Sequence, residues 1–184
     1  MKALLDACVL YPTVMREMLI GAAAAGLYEP LWSPRILEEW ARAAAKLGPG
    51  QEVLARGEIA ALDARWPGAS VSPRAGDAAR LWLPDPADVH VLAAAIAGSA
   101  DVLVTLNAKD FPRHTLSEEG LAREAPDLFL RALWEAHPRA VERVARAVQD
   151  EAERLSGEDW PIRRLMKKAR LPRLGKALEA AGLR

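Results

Sequence analysis

Cysteine is almost absent from the sequence, and this limits the chemistry available to the chain. Cys8 is the single cysteine among 184 residues, so neither an internal disulfide nor a cysteine-based zinc site can be built. A chain without disulfides fits a reducing compartment, and we expect a cytoplasmic protein. Asp6 interrupts the first apolar run, which argues against a secretion signal.

The chain also lacks a charge excess, a long apolar run and any internal repeat. Its 25 lysines and arginines balance 25 aspartates and glutamates, so its surface as a whole does not attract nucleic acid, although a local basic patch remains possible. The longest apolar stretch, Met18 to Leu27, is too short and too rich in Ala and Gly to span a bilayer. With 51% hydrophobic and 27% charged residues, the composition is typical of a globular protein.

Apolar runs alternate with helical patterns along the first part of the chain. This alternation predicts an α/β fold with a central, mostly parallel sheet. Ser33 is the expected cap of the helix that begins at Pro34, and the β-branched run before Asn107 is the strongest strand signal. The predicted strands end at Leu5 or cover 27–32, 69–72 and 101–105, and the predicted helices cover 13–27, 34–47, 51–66 and 87–97.

Beyond Pro112 the pattern becomes helical, over 127–136, 138–155 and two short segments between 160 and 182. We therefore divide the chain into a core over residues 1–115 and a helical extension over residues 116–184. The extension is expected to pack on the core or on a second subunit.

Carboxylates stand at the ends of several predicted elements. Asp6 follows the first strand, Thr105 ends the strongest one, and Asn107 and Asp110 follow it. Because open α/β sheets bind ligands at the carboxyl ends of their strands, these side chains should meet at one edge. Carboxylates held close together repel each other unless a divalent cation neutralises them. The pattern predicts a metal site, although turn hydrogen bonds alone would also explain Asn107 and Asp110.

Glu39 is the better candidate of two adjacent helical glutamates. It borders an apolar stripe that includes Ile36 and Trp40, whereas Glu38 is spaced for solvated ion pairs with arginines on the outer face. A lone helical glutamate is more often structural than functional. Glu39 is therefore a candidate site residue only because the other acids are present.

Asp88 lies in the first turn of the helix that ends near Gly98, where capping and the helix dipole would also explain a carboxylate. Asp85 precedes it in a turn, and its expected role is to shape that turn or cap the helix, with support of the site from outside the ligand set as the lesser alternative. His90 is expected to be a packed or surface residue and is left out of the ligands.

Three segments resemble the PIN-domain family, which includes the VapC-like toxins. They are 4–10, 83–96 and 100–112, and they occur in the family's order with a Glu-bearing helix between the first two. The tail is similar to a branch of PIN proteins with a helical extension. The resemblance implies a three-layer α/β/α nuclease fold that binds Mg²⁺ or Mn²⁺ and cuts RNA. It also implies a homodimer and, for toxin members, an antitoxin partner.

The resemblance assigns Asp6 as the first acid, Glu39 as the second and Asp88 as the third. Asn107 departs from the pattern, because many members carry Asp there, and Asp110 or a water would complete the site instead. Ala87 is a second departure, at a position where close relatives often carry another acid.

These assignments suggest metal-assisted hydrolysis of RNA. Asp6, Asp88 and Asp110 would hold the metal, while Glu39 would either bind a second ion or accept the proton of the attacking water. Thr105 or Asn107 would orient a ligand or a phosphate by hydrogen bonding. The candidate RNA contacts are Arg16, Lys109 and Arg113. The basic run over 163–176 is either a further contact, for RNA or an acidic partner, or a solvated face.

Two other readings of the sequence lead to different functions. In the first, Asn107 has left a catalytically weak PIN fold that acts as a protein- or RNA-binding module. In the second, Asp6 is the nucleophile of a phosphatase of the haloacid dehalogenase class. That class has another Asp two residues further on, where this chain has Cys8, which disfavours this hypothesis.

Overall fold

The computed structural model describes residues 1–74 and 76–184. In this part of the chain, four parallel strands form one sheet with the order β2-β1-β3-β4. The strands are β1 (Lys2–Leu5), β2 (Glu29–Leu31), β3 (Val102–Val104) and β4 (Ala122–Glu124). The helices are α1 (Ala7–Leu10), α2 (Thr13–Ala24), α3 (Pro34–Ala45), α4 (Gln51–Arg65), α5 (Val89–Ala97), α6 (Arg113–Glu118), α7 (Pro126–Ala136), α8 (Pro138–Ser156), α9 (Ile162–Lys168) and α10 (Pro172–Ala180).

The two inner strands are apolar on both faces, as expected for a parallel sheet covered on both sides. Leu4 of β1 pairs with Leu103 of β3 in the parallel register, and the next pair is Leu5 with Val104. All four side chains are fully buried. The predicted α/β class with a parallel central sheet is confirmed, and the register brings the carboxyl ends of β1 and β3 to one edge.

Three short elements escaped the sequence analysis. Strand β4 and helix α6 lie in a stretch predicted to be helical or irregular, and α1 follows β1 directly. Strand β4 is an edge strand with a polar, half-exposed sequence, so it shows no apolar alternation. Conversely, the strand predicted over 69–72 is only an isolated bridge between Trp32 and Ser70.

Helix α3 is fixed by its first residues and by its buried stripe. The Ser33 hydroxyl accepts a hydrogen bond from the backbone nitrogen of Ile36 at 3.2 Å, which caps the helix as predicted. Ile36 and Trp40 are buried at 0% and 2% exposure. Their burial sets the rotation of the helix and leaves Glu39 half-exposed at the border of the stripe.

Two compact units are interleaved along the chain. The sheet unit comprises Met1–Tyr11 and Glu29–Glu124, and the helical unit comprises Pro12–Tyr28 and Ala125–Arg184. Helix α2, early in the sequence, thus belongs with the late helices. The division into a core over residues 1–115 and a helical extension over residues 116–184 stays a prediction.

The helical unit is held by apolar packing and by one buried carboxylate. Helix α2 packs on α7 and α8, and Tyr28 meets the ring of Phe129 edge-on at a centroid distance of 5.0 Å. Asp127 is 9% exposed and accepts hydrogen bonds from the backbone nitrogens of Arg173 and Leu174, at 3.0 and 2.9 Å. It thereby satisfies the free N–H groups at the start of α10. Across the described residues, no helix has the length and apolarity needed to cross a membrane.

Candidate metal centre

Asp6 follows β1 and is held by hydrogen bonds from neighbouring side chains. Its backbone nitrogen donates to the carbonyl of Val104 at 3.2 Å, which extends the pairing of β1 with β3 by one residue. Its carboxylate oxygen Oδ2 accepts from the Thr105 hydroxyl at 2.7 Å and from the Cys8 thiol at 3.1 Å. With only 7% of Asp6 exposed, these bonds stabilise and orient a buried charge.

Thr105 connects Asp6 to the loop that follows β3. Its hydroxyl donates to Asp6 and accepts from the backbone nitrogen of Asn107 at 2.9 Å. Cys8 accepts a hydrogen bond from the backbone nitrogen of Leu106 at 3.3 Å. Burial, followed by the charge of Asp6, raises the pKa of the Cys8 thiol to about 12. The thiol therefore stays protonated and acts as a positioning group.

A tight group of acids lies beside this network. One carboxylate oxygen from each of Asp85, Asp88 and Asp110 falls within 4.8 Å of the other two. Asp85 also caps the 3₁₀ turn Pro86–Asp88, because its Oδ1 accepts from the backbone nitrogen of Ala87 at 2.8 Å. Burial raises the pKa of Asp88 to about 6, with further contributions from Asp6, Asp85 and Asp110. The negative charges of the buried Asp6 and of the two outer acids thus all act on the Asp88 carboxyl.

Glu39 belongs to the same electrostatic cluster. Burial is the main cause that raises the pKa of its carboxyl, and the negative charges of Asp6 and Asp88 raise it further. The Arg35 guanidinium opposes this shift, and its Nε lies 3.5 Å from Glu39 Oε1. The structure thus brings Asp6, Glu39 and Asp88 together within the sheet unit, although they are distant in sequence.

His90 packs against Glu39. Its Nε2 lies 2.8 Å from Glu39 Oε1, but the two atoms do not meet the geometry of a hydrogen bond. The side chain is 10% exposed, and burial together with Arg35 lowers its pKa to about 4. The imidazole is therefore neutral near pH 7. His90 is packed, which is one of the two environments predicted for it. Its contact with Glu39 was not predicted, because Glu39 lies on a different helix.

Asn107, in the loop after β3, contacts Asp88. Its side-chain nitrogen donates to Asp88 Oδ2 at 3.0 Å. An aspartate there would add a negative charge beside Asp88. The amide supplies a hydrogen-bond donor instead, which stabilises the ionised form of Asp88.

Asp85 caps the turn before α5, as expected from the sequence. Its carboxylate also lies beside those of Asp88 and Asp110, a contact that the sequence did not predict. The side chain of Arg16 lies in the helical unit, is 5% exposed and is next to Glu17. A side chain that contacts RNA directly is expected to be exposed, so Arg16 is not carried into the proposed RNA contacts. Lys109 and Arg113 are exposed in the sheet unit, as an RNA contact requires.

Arg123 is a supporting residue that the sequence analysis did not find. From β4, its Nη1 donates to the carbonyls of Ala108 and Phe111, the latter at 2.7 Å. These bonds hold the loop that carries Asp110. The signal was missed because β4 was not predicted, so nothing placed Arg123 beside this loop.

The donor set fits a hard divalent cation. All the clustered side chains that can act as anionic ligands are carboxylates, and oxygen ligands suit Mg²⁺ or Mn²⁺ better than softer metals. Burial is the first cause of the raised pKa values of Asp88 and Glu39, and the negative charges of neighbouring carboxylates raise them further. A cation bound among these carboxylates would offset their repulsion.

Comparison with known proteins gives one match. Residues 2–109, more than half of the chain, match the family model of the PIN domain. No curated protein and no solved structure matches the chain. PIN domains are generally nucleases that use divalent metals, which agrees with the acidic cluster described above.

Proposed function

Because the chain belongs to the PIN domain family, we propose that it is a Mg²⁺- or Mn²⁺-dependent endoribonuclease that hydrolyses RNA phosphodiester bonds. The observation that carries this proposal is the convergence of Asp6, Glu39 and Asp88 on one electrostatic cluster beside Asp85 and Asp110. All five residues lie in the sheet unit, and all but Asp110 fall within the matched range.

Asp6, Asp88 and Asp110 are the proposed metal-holding residues, with Asp85 as an additional ligand. When bound, the cation would activate a water and neutralise charge on the scissile phosphate. The protein holds these carboxylates in place before substrate arrives. Thr105 and Cys8 orient Asp6, Asn107 contacts Asp88, and Arg123 holds the loop of Asp110.

Glu39 is the proposed proton acceptor for the attacking water, with ligation of a second ion as its other possible role. Its pKa is raised by burial and by the neighbouring carboxylates. A raised carboxylate pKa makes a stronger base near neutral pH. On the substrate side, Lys109 and Arg113 are proposed to meet RNA phosphates near the loop after β3.

The proposal is tested by paired variants of the adjacent glutamates. Glu39→Gln should reduce the cleavage of a labelled RNA in the presence of Mn²⁺ by about 100-fold or more. Glu38→Gln makes the same chemical change one residue away, on the face that pairs with Arg42 and Arg56, and should leave the rate within about twofold. Equal activity of the two variants would contradict the role given to Glu39.

We further propose that the chain is a VapC-like toxin of a type II toxin–antitoxin system, that it acts in the cytoplasm as a homodimer, and that an antitoxin protein binds it. The family resemblance supports this role. Exposed apolar side chains around the α3–α4 turn, Leu47, Val53 and Leu54, are candidates for a protein contact. A short neighbouring gene for a DNA-binding protein, whose product suppresses growth arrest on co-expression, is the expected finding. Sedimentation velocity tests the dimer.

A second candidate function is supported by Asn107. Asn107 stands where many members of the family carry an aspartate, and it donates a hydrogen bond to Asp88 instead of adding a charge. A site with fewer negative charges fits a PIN fold that binds RNA or protein without cutting it. Isothermal titration with Mn²⁺ and an RNA cleavage assay separate the two candidates. Measurable metal affinity together with metal-dependent cleavage supports the nuclease, whereas the absence of both supports the binding module.

A further inference from the structure

The last two helices of the chain carry a dense set of positive charges, with Glu179 near the end of α10 as their one acidic residue. Between residues 163 and 176 there are seven lysines and arginines and no aspartate or glutamate. The helical unit as a whole has fourteen cationic residues against ten acidic ones, so it carries a formal excess of positive charge although the chain is neutral. The basic face defined by this segment comprises Arg163, Arg164, Lys167, Lys168, Arg170, Arg173 and Lys176.

Close packing of α9 on α10 brings the two charged helices side by side. Gly175 makes the close approach possible, because a Cβ at this position would lie only 2.7 Å from the Cβ of Met166. The apolar residues of both helices are buried beneath the face, among them Leu165 and Leu174. All seven cationic residues are exposed. The two helices therefore present their charges to solvent side by side.

Several of these charges are held in place or left without a counter-charge. Arg164 and Lys168 stand over the ring of Trp160, at 4.9 and 4.4 Å from its centroid, which restricts their motion. Arg163 pairs with Glu179 at 2.7 Å. In the part of the chain described by the structure, none of the other six members has an ion pair with an acidic side chain, and four of these six also lack the ring contact: Lys167, Arg170, Arg173 and Lys176.

Two of these four residues occupy positions that the local backbone disfavours. Arg170 has φ of 60°, and it lies just after α9 where two hydrogen bonds, Arg170 N to Lys167 O and Leu171 N to Met166 O, close the helix. Glycine is the usual residue in this left-handed position. Arg173 lies in the first turn of α10, where a cation opposes the helix dipole. Local stability does not explain either arginine, which suggests that their charges serve binding.

We propose that the basic face of α9 and α10 binds the phosphate backbone of RNA. Among the described residues of these helices, no large apolar side chain is exposed. A protein partner would ordinarily require an apolar centre in its interface, whereas a phosphate backbone requires only positive charge. The face lies outside residues 2–109, so the family match does not account for it. The choice of RNA as the polyanion rests on the proposed function.

The test compares two triple variants of the full chain with equal changes in net charge. The first, Lys167→Gln with Arg173→Gln and Lys176→Gln, neutralises the face. The control, Arg139→Gln with Arg143→Gln and Arg146→Gln, neutralises exposed arginines on α8, where Glu142 and Asp150 are interspersed. Binding of a fluorescein-labelled oligouridine is measured by anisotropy in EDTA over a range of salt concentrations, and unfolding is followed by circular dichroism.

The face variant should bind at least about tenfold more weakly than the wild type, and its slope of log K against log salt should fall by about 2. The control should keep most of its affinity. Unchanged binding by the face variant, or an equal loss in the control, would overturn the proposal. Poly-L-glutamate and unlabelled RNA are compared as competitors of the labelled oligouridine. If poly-L-glutamate is equally effective, an acidic protein is the better partner and the proposal fails.

Arg170→Gly provides a second variant that separates binding from folding. It should raise the unfolding temperature, because glycine relieves the left-handed conformation, and should still weaken RNA binding. Unweakened binding would count against the face. All these measurements are made without divalent metal and without cleavage. If the wild type binds RNA through α9 and α10 but does not cleave it, only the nuclease proposal is refuted. If the wild type cleaves RNA but the basic face does not bind it, only the present inference is refuted.

Discussion

The side-chain nitrogen of Asn107 donates a hydrogen bond to Oδ2 of Asp88, at a distance of 3.0 Å. This contact makes the asparagine a neutral partner for the most strongly shifted carboxylate of the cluster. The pKa of Asp88 is already raised to about 6 by burial and by three neighbouring aspartates. Replacement of the amide by a carboxylate would remove a favourable contact and add a repulsive one.

Asn107→Asp should accordingly bind Mn²⁺ more tightly than the wild type and should unfold more easily in EDTA. The expected loss in the free energy of unfolding is about 1 kcal/mol, because Asp88 is partly exposed and solvent screens the repulsion. Calorimetric titration and denaturant unfolding measure the two effects. Asn107→Ala is the control, since it removes the donor without adding charge and should not gain metal affinity.

Asp6→Asn should abolish RNA cleavage, with a loss on the order of 1,000-fold, while the protein stays folded. The asparagine oxygen can still accept the hydrogen bonds from Thr105 and Cys8, and removal of the charge relieves repulsion on Asp88 and Glu39. Stability in EDTA should therefore be unchanged or higher. Cleavage kinetics and thermal unfolding of the same preparation provide the readouts. Full activity in this variant would exclude the proposed mechanism.

Thr105→Val should lower both stability and activity, but activity less than the loss of an acid does. The change removes the buried donor to Asp6 and the acceptor of the Asn107 backbone nitrogen. We expect a cost of about 1–3 kcal/mol and a decrease in cleavage of about 10- to 100-fold. Thr105→Ser keeps the hydroxyl and should be close to the wild type in cleavage. If valine and serine behaved alike, the hydroxyl would have no positioning role.

The raised pKa of Asp88 should make the stability of the fold depend on pH. Its pKa in the metal-free fold lies above the ordinary value of 3.8, at about 6. The folded protein therefore holds this proton more tightly than the unfolded chain does between these two values, and ionisation of Asp88 destabilises the fold as pH rises through this window. In EDTA, wild type should lose stability relative to Asp88→Asn from about pH 4 to pH 6, and the difference should be constant above that range.

Thermal unfolding of the two proteins across this pH range measures the difference. Added Mn²⁺ should stabilise the wild type at pH 7 more than it stabilises Asp88→Asn, because the variant lacks one ligand. A stability difference that did not change with pH in EDTA would show that Asp88 titrates normally.

Much of the fold followed from local sequence signals. Ser33 and Pro34 fixed the start of α3, and the apolar runs that form β1 and β3 identified the inner strands. Strand β4 could not be found in this way, because its polar residues pair at a sheet edge and carry no alternation. The loop anchor Arg123 was missed with it.

The sequence by itself determined which residues are acidic and which of them end strands, because hydrophobic periodicity and the parallel sheet place Asp6 and the loop after β3 at one edge. Only the tertiary structure decided which groups share an oxygen cluster, since contacts such as Asp85 with Asp110 or His90 with Glu39 join residues from different elements. It also decided the burial of Arg16. Local sequence encodes torsion angles and periodicity, whereas these contacts depend on how separate elements pack.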